Sequence, residues 1–277
     1  MILITGCAGF IGYHLTKRLL EQNKKVIGID SIDNYYSREL KLDRLKILKK
    51  SNKFNFKKID LQNYKKTYEF LRRKKIIQVI HLAAQPGVRV SLKSPLNTLN
   101  KNINVFINIL EICRKKRVKN FIYASSSSVY GDSKIYPFNE KDKENEPISI
   151  YGSSKITNEI LASSYSRNFN LRCVGLRFFT VYGPYGRPDM AYYSFLDNLR
   201  KNKPITVFNK GVMKRDFTYI TDVVNGVISI LKKNIKSKNL VLNIGKGKPD
   251  NLMDLVNIIQ KNYNKKFKIV FSKKIPK

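Results

Sequence analysis

Short apolar runs alternate with longer amphipathic segments along the first 180 residues of the chain. Apolar or alternating runs, which predict strands, occupy residues 1–4, 26–29, 54–59, 78–82, 120–124 and 172–178. Apolar positions three or four apart predict helices after residue 12 and over residues 38–50, 64–74, 99–114 and 151–169. Strands that alternate with helices pair in parallel and are covered on both faces. The pattern therefore predicts an α/β fold with a doubly wound parallel sheet.

A glycine-rich turn follows the first apolar run, with Gly6, Gly9 and Gly12 spaced three residues apart. Glycines allow a backbone to approach a pyrophosphate, and the N-terminus of the next helix offers free amide groups. Asp30 ends the second apolar run at about the distance where an acidic residue binds the adenosine ribose of NAD. The alternative is a tight strand–helix turn without a ligand, and the placement of Asp30 favours a nucleotide.

The pattern changes beyond about residue 180, where prolines and glycines separate shorter elements. We expect this part to pack on the carboxyl edge of the sheet and to supply the substrate side of a cleft. The predicted division is a Rossmann-type NAD-binding domain over residues 1–175 and a smaller C-terminal α/β substrate-binding region over residues 176–277.

Tyr151 and Lys155 lie four residues apart on a predicted helix, so their side chains share one face. A phenol with a pKa of about 10 is a poor base at neutral pH, and a neighbouring ammonium lowers that pKa by stabilising the phenolate. The serine run at residues 125–128 ends the preceding strand and offers a hydroxyl to bridge the phenol and a reacting oxygen. A tyrosine and a lysine four residues apart also occur often on exposed helices, where they have no catalytic role. The glycine-rich turn earlier in the chain favours a role in redox chemistry here.

The net charge of +34 raises the alternative of a nucleic-acid-binding protein. Lysines recur in nearly every segment, often beside Asn and Ile, rather than in one basic arm. This chain-wide bias predicts solvated basic faces and no nucleic-acid partner. The charge would still help to attract an anionic substrate by long-range steering.

The cysteines and histidines of the chain argue against a disulfide-bonded protein and against a metal centre. Cys7, Cys113 and Cys173 are far apart in apolar surroundings, which predicts buried reduced thiols rather than disulfides or a metal site. His14 and His81 are the two histidines, so a histidine-rich metal centre is excluded. The first apolar run lacks a basic leader and is broken by glycines, which predicts neither a signal peptide nor an anchor. No later run approaches the length that spans a bilayer.

Five stretches carry a resemblance to the extended short-chain dehydrogenase/reductase superfamily, and within it to UDP-glucuronate 4-epimerases. Four of them resemble that branch: residues 81–89 (HLAAQPGVR), 123–131 (YASSSSVYG), 177–184 (RFFTVYGP) and 186–191 (GRPDMA). The fifth, residues 215–220 (RDFTYI), is shared more widely among nucleotide-sugar epimerases and dehydratases. Dehydratases carry an Asp-Glu pair where this chain has Ser127 and Ser128, which disfavours dehydration.

The resemblance implies a role for individual residues. Tyr151 would be the catalytic base, Lys155 its partner and Ser126 the bridging hydroxyl, with Ser128 as a second candidate. The implied cofactor-binding residues are Gly6, Gly9, Phe10, Ile11, Gly12, Asp30, Asp60, Leu61, Leu82, Ala83, Ala84, Asn102, Tyr151 and Lys155. The implied substrate-binding residues are Arg89, Ser126, Ser128, Thr180, Arg187 and Arg215. The cofactor would be NAD rather than NADP, because Asp30 would repel a 2′-phosphate.

The implied reaction is NAD-dependent inversion at C4 of a UDP-hexuronic acid, from UDP-glucuronate to UDP-galacturonate, through a 4-keto intermediate. Thr180 stands where galactose-type epimerases carry asparagine, which fits a sugar with a carboxylate at C5. A UDP-glucose or UDP-N-acetylglucosamine 4-epimerase stays open. So does a non-catalytic NAD-binding protein, because family members continue past Ile275, Pro276 and Lys277. The resemblance also implies a homodimer, the reduced cysteines predict a cytoplasmic protein, and the short apolar runs predict no membrane partner.

Overall fold

The computed structural model describes residues 1–142, 146–233, 235, 237–266 and 268–272. The segment Ile275, Pro276 and Lys277, on which the expectation of a shortened C-terminus rests, lies outside the described residues. In the described part of the chain, no helix combines the length and the apolar character needed to cross a bilayer.

A parallel sheet, seven-stranded within the described residues, forms the centre of the molecule. Its strands, labelled in chain order, are β1 (Ile2–Thr5), β2 (Val26–Asp30), β3 (Phe54–Lys58), β4 (Gln78–His81), β5 (Asn120–Ser126), β6 (Arg172–Phe178) and β11 (Asn239–Ile244). Their order across the sheet is β11-β6-β5-β4-β1-β2-β3. The strand order reverses between β1 and β4, and ligands of such sheets bind at that crevice. The predicted doubly wound α/β fold is confirmed.

Helices cover both faces of the sheet. In chain order, the helices of the described chain are α1 (Phe10–Glu21), α2 (Arg38–Leu48), α3 (Tyr64–Leu71), α4 (Val88–Lys93), α5 (Pro95–Leu99), α6 (Val105–Lys115), α7 (Ile150–Phe169), α8 (Ala191–Arg200), α9 (Ile220–Lys232) and α10 (Leu252–Tyr263). Of these, α8 and α10 pack in a smaller lobe and not on the sheet. Side chains of one strand alternate between the two faces. Ile4 therefore lies in the cluster formed with α1 and α9, whereas Leu3 lies in the cluster formed with α6.

The sheet does not end where the predicted domain boundary falls. β11 begins at Asn239 and pairs in parallel with β6, so the seventh strand comes from the part assigned to the substrate region. α9 also lies beyond residue 175, and its Val223 and Val227 pack in the same buried cluster as Leu15 and Leu19 of α1. The sheet and the helices packed on it are thus built from two separate stretches of chain.

The remaining elements form a smaller lobe beside the carboxyl edge of the sheet. Its short strands are β7 (Thr180–Tyr182), β8 (Ile205–Phe208), β9 (Lys214–Arg215), β10 (Phe217–Tyr219), β12 (Asp250–Asn251) and β13 (Ile269–Ser272). They pair as β7 with β10, β8 with β13, and β9 with β12. Phe195 and Leu199 of α8 pack there with Val207 and Val256.

One predicted helix is interrupted. The segment predicted as a helix over residues 99–114 contains a π-helical turn at Asn100–Asn104 between α5 and α6. Turns of this kind occur often at functional sites, because the extra residue in the turn redirects side chains. Asn102, one of the predicted site residues, lies in this turn and is buried.

Candidate active site

The glycine-rich turn joins β1 directly to α1. Gly6 adopts a φ of +71°, which favours glycine, and a Cβ on Gly12 would lie 2.1 Å from the Gly6 carbonyl oxygen. Larger residues therefore cannot close this turn. Gly9 precedes Phe10, the first residue of α1, and provides no side-chain cap, so the first amides of the helix are available for another acceptor.

Asp30 secures the turn from the end of β2. Its carboxylate accepts hydrogen bonds from the Ala8 amide at 3.0 Å and the Ile32 amide at 2.9 Å. Burial raises the pKa of Asp30, and the two amide hydrogen bonds oppose that rise. Each carboxylate oxygen has a further lone pair, so the group can still accept from a ribose hydroxyl.

The other predicted cofactor residues lie at the same edge of the sheet. Leu82, Ala83 and Ala84 follow the carboxyl end of β4, and the Ala83 amide donates to Thr5 Oγ1 at 3.3 Å. Asp60 and Leu61 follow β3, where Asp60 is exposed and Leu61 is buried.

Asn102 connects this edge to α7. Its Oδ1 accepts from the Gln85 amide at 2.7 Å, and its Nδ2 donates to the Gln85 carbonyl and to Ser154 Oγ. The Asn102 carbonyl accepts from Asn158 Nδ2 at 3.2 Å. Asn102 therefore fixes the segment after β4 against the helix that carries Tyr151.

Tyr151, Lys155 and Ser126 come together as predicted. Lys155 Nζ lies 5.7 Å from the centroid of the Tyr151 ring and donates to the Ala124 carbonyl at 2.9 Å. Ser126 ends β5, and its hydroxyl accepts from the Ser128 amide and donates to Ser128 Oγ at 3.2 Å. Both serines therefore belong to one hydroxyl pair beside the phenol.

The protein alone does not lower the pKa of Tyr151 in the way that the Tyr-x-x-x-Lys spacing suggests. Burial raises that pKa, while the Arg187 charge and a hydrogen bond with Ser126 oppose the rise. Burial also lowers the pKa of Lys155 to about 8, against the opposing charge of Glu159. Lys155 is 3% exposed, so a further positive charge beside the phenol would be weakly screened and would favour the phenolate.

The lowered pKa of Lys155 should make the free energy of unfolding depend on pH. Its pKa falls from 10.5 unfolded to about 8 folded, so between these values the unfolded chain binds more protons and stability rises with pH. We expect the free energy of unfolding of the NAD-free wild type, minus that of Lys155→Met, to increase by up to about 3 kcal/mol from pH ~7 to pH ~10. Urea titrations at both pH values measure this, and a pH-independent difference would contradict it.

Sequence reasoning missed a buried ion pair behind Lys155. Arg177 of β6 donates from Nε and Nη2 to the two oxygens of Glu159, at 3.0 and 2.8 Å. Ser125 Oγ donates to the same carboxylate at 2.5 Å. Glu159 follows Lys155 by one helical step of four and Tyr151 by two, and that i, i+4, i+8 spacing was the available signal.

The predicted substrate residues lie around the mouth of the site at different depths. Arg187 is half-buried, pairs with both oxygens of Asp189 at 3.0 and 2.5 Å, and interacts with the Tyr151 phenol. Arg89 is exposed and lies over the Phe208 ring at 5.1 Å.

Thr180 and Arg215 lie on short strands of the smaller lobe. Thr180 opens β7, where its amide donates to the Asp216 carbonyl at 3.1 Å. Arg215 ends β9, is exposed and donates to the Lys214 carbonyl. Of the predicted substrate residues, Arg187 and Ser126 therefore interact with the phenol, and Arg89 and Arg215 lie at the surface.

These residues fit a dinucleotide on structural grounds. The turn is tight, because a Cβ on Gly6 would lie 2.8 Å from the Ala83 nitrogen and a Cβ on Gly12 would lie 2.1 Å from the Gly6 carbonyl oxygen. A carboxylate at the end of β2, uncapped amides at the start of α1 and a phenol–ammonium pair share the carboxyl edge of one sheet. Among the described residues, no group of three or more His, Cys, Asp or Glu side chains is arranged to hold a metal ion.

Comparison with known proteins gives concordant results. Protein CapI of Staphylococcus aureus is 44% identical over 280 residues, which cover 95% of this chain and 84% of that protein. A UDP-glucuronate 4-epimerase of Thermodesulfobacterium geofontis is 39% identical over 267 residues, covering 96% and 81%. The crystal structure of the Bacillus cereus UDP-glucuronic acid 4-epimerase, in complex with UDP-glucuronic acid and NAD, superposes with a TM-score of 0.92. That chain is 36% identical, and the match covers 99% of this chain and 87% of the other.

The family model gives the same result over most of the chain. It matches residues 2–245, from β1 through β11, and is described as the NAD dependent epimerase/dehydratase family. The match spans the glycine turn, Asp30, the Tyr151–Lys155 pair and the strand that completes the sheet. The chain belongs to the NAD dependent epimerase/dehydratase family.

Proposed function

We propose that this protein inverts C4 of a UDP-hexuronic acid and interconverts UDP-glucuronate and UDP-galacturonate, with NAD as its cofactor. The observation that carries the proposal is the position of Tyr151. Two cations act on its phenol: Lys155 Nζ lies 5.7 Å from the ring centroid, and the charge of the Arg187 guanidinium lowers the pKa of the phenol. A base with a second cation close enough to influence it suits a substrate that bears a carboxylate. Similarity to proteins named UDP-glucuronate 4-epimerases supports the same substrate.

Gly6, Gly9, Gly12, Phe10 and Ile11 would hold the diphosphate of NAD through the turn and the first amides of α1. Three further groups of predicted residues complete the cofactor site: Asp30 at the ribose, Asp60 and Leu61 at the adenine, and Leu82, Ala83, Ala84 and Asn102 beneath the dinucleotide. When bound, NAD supplies a hydride acceptor and donor, and its positive nicotinamide favours an ionised phenol.

Tyr151 would remove the proton from the C4 hydroxyl as a phenolate and return it when the sugar is reduced on its other face. Ser126, or its hydrogen-bond partner Ser128, would bridge the phenol and the sugar oxygen. Lys155, held by the Ala124 carbonyl, keeps its ammonium beside the phenol and stabilises the ionised form. The chain thus moves one proton out and back, and no external reductant is consumed.

Inversion requires that hydride leave one face of C4 and return to the opposite face, so the nucleotide has to stay anchored while the sugar turns. Arg215 and Arg89 are the residues we assign to the diphosphate, because a guanidinium presents a planar fork of donors that matches phosphate oxygens. Arg187 and Thr180 are assigned to the sugar carboxylate. A non-catalytic NAD-binding protein would not require Tyr151, Lys155 and the serine pair to be assembled at the same edge.

We also propose a cytoplasmic homodimer. Cys7, Cys113 and Cys173 are buried free thiols, which suits a reducing compartment. Ile160 on α7 is 62% exposed and Leu96 on α5 is 73% exposed, so this side of the molecule offers apolar surface to a second copy.

A substrate panel tests the proposed function. We expect the NAD-loaded protein to convert UDP-glucuronate with a kcat/KM at least about 100-fold higher than for UDP-glucose or UDP-N-acetylglucosamine, because those sugars lack the carboxylate that we assign to Arg187 and Thr180. Chromatographic separation of the C4 epimers measures each rate. Preferential epimerisation of a neutral sugar would refute the hexuronic-acid assignment, and binding of NAD without any epimer would refute enzymatic function.

A further inference from the structure

Arg44 is the largest fully buried side chain in the described part of the chain, and the proposed chemistry does not use it. It lies in α2 and is 0% exposed. Its Nη1 donates to the Ala8 carbonyl at 2.8 Å and to the Tyr36 hydroxyl at 2.7 Å. Its Nη2 donates to the carbonyls of Tyr185 and Gly186 at 2.6 and 3.3 Å. One guanidinium therefore joins the glycine-rich turn to the loop at residues 183–190.

The charge of Arg44 has no anionic partner. Among the described residues, no carboxylate lies within 4 Å of its nitrogens, and its Nε is buried without a hydrogen-bond partner. Its contacts are carbonyl dipoles and a phenol whose pKa burial raises, so the phenol stays neutral. A buried cation without a counter-charge is costly to the folded protein. Such a group is expected where a bound ligand supplies the missing negative charge.

The turn that Arg44 contacts is the place where negative charge would arrive. Ala8 lies between Gly6 and Gly9, directly before the N-terminus of α1. A dinucleotide diphosphate on this turn would have the helix amides in front of it and the Arg44 guanidinium behind the Ala8 carbonyl. In a site that excludes water, the attraction between these charges is only weakly screened.

The opposite end of the guanidinium holds the 183–190 loop in a specific shape. Tyr185 has a φ of +54°, which is uncommon for a residue other than glycine, and its carbonyl points to Arg44. The loop is also held on α1, where a His14 ring nitrogen lies 2.8 Å from the Pro184 carbonyl. The same loop carries Arg187, the proposed sugar contact.

We propose that Arg44 is a positioning residue that couples the two ligand sites: the diphosphate of the dinucleotide compensates its charge, and Arg44 in turn holds the 183–190 loop in the shape that receives the nucleotide sugar. Binding energy coupled in this way is reciprocal, so each ligand tightens the other by the same factor. The inference rests on the proposed function only in taking NAD and a UDP-nucleotide as the two ligands.

Calorimetric titration of UDP into NAD-depleted protein, without and with saturating NAD, tests the coupling. We expect NAD to tighten UDP binding at least about fivefold in the wild type. In Arg44→Met, the ratio of the Kd for UDP without NAD to the Kd with NAD should fall to about one, because both the positive charge and the planar set of guanidinium donors are lost. Arg44→Lys should bind NAD more tightly than Arg44→Met but recover little coupling, since an ammonium lacks the planar fork that spans the two loops.

Lys46→Met is the matched control, because Lys46 lies on the same helix with its side chain 79% exposed. It should retain the wild-type ratio. The proposal would be overturned if NAD did not change the Kd for UDP in the wild type, or if a folded Arg44→Met kept the wild-type effect of NAD on that Kd. If Arg44→Met does not fold, the effect of NAD on UDP binding in the wild type and in Arg44→Lys decides between the outcomes. UDP is common to every UDP-sugar, so a wrong sugar assignment leaves this test intact, whereas failure to bind NAD at all would refute the proposed function itself.

Discussion

Replacing Tyr151 by Phe is expected to lower kcat for epimerisation by about 10³- to 10⁴-fold, the upper range for loss of a positioned general base. Phe keeps the ring that lies 5.7 Å from Lys155 Nζ and removes the hydroxyl alone. The glycine turn and Asp30 are untouched, so NAD should stay bound. Steady-state rates with UDP-glucuronate, together with the NAD content of the purified variant, measure both expectations.

Tyr165→Phe is the matched control for this prediction. Tyr165 lies on the same helix, and its hydroxyl donates to Glu111 Oε1 at 2.8 Å, away from the proposed site. Its loss should leave kcat within about twofold of the wild type, because the hydroxyl contacts no reacting atom. Near-normal turnover by the Tyr151→Phe protein would show that Tyr151 is not the general base.

Replacing Arg177 by Met is expected to destabilise the protein by about 3–5 kcal/mol, because it leaves the Glu159 carboxylate buried without its cation. Arg177 and Glu159 are 3% and 7% exposed, so water cannot take the place of the guanidinium. Arg177 also lies over the Tyr130 ring at 4.7 Å, and that packing would be lost as well. Urea unfolding at neutral pH measures the change in free energy.

Two controls separate a buried charge from a general loss of contacts. The double variant Arg177→Met/Glu159→Met should be less destabilised than Arg177→Met alone, because no unpaired charge stays inside. Lys201→Met breaks the exposed pair with Asp197, whose side chains are 57% and 44% exposed, and should cost less than about 1 kcal/mol. Equal losses for the buried and exposed pairs would contradict this account of Glu159.

Much of the fold could be predicted because local patterning and topology agree. Strand–helix alternation predicted the parallel sheet, and the strand predicted over residues 172–178 is β6 (Arg172–Phe178). The seventh strand, Asn239–Ile244, was not predicted, because its position depends on pairing with β6, whose paired residues lie 66 positions earlier. The π-helical turn at Asn100–Asn104 was also missed, since it keeps the composition of a continuous helix.

The predicted site residues divide along a similar line. Gly6, Asp30 and Tyr151 could be predicted from their spacing in the sequence, because turn geometry and helical periodicity are local properties. The buried positions of Arg44 and Arg177 could not be predicted, because charged residues are ordinarily exposed. The sequence does not show which distant carbonyls would bind Arg44 or which carboxylate would bind Arg177. The pKa of Tyr151 was likewise not predictable from Lys155 alone, since burial by the whole fold outweighs one neighbour.

The most direct test of C4 epimerisation with the hydride kept on the enzyme uses UDP-glucuronate labelled with deuterium at C4. The NAD-loaded protein is incubated with this substrate in ordinary water without added reductant, and the products are examined by NMR and mass spectrometry. We expect UDP-galacturonate that retains the deuterium at C4, formed until both epimers reach a constant ratio. Product with hydrogen at C4, or an unchanged substrate while NAD is bound, would contradict the account.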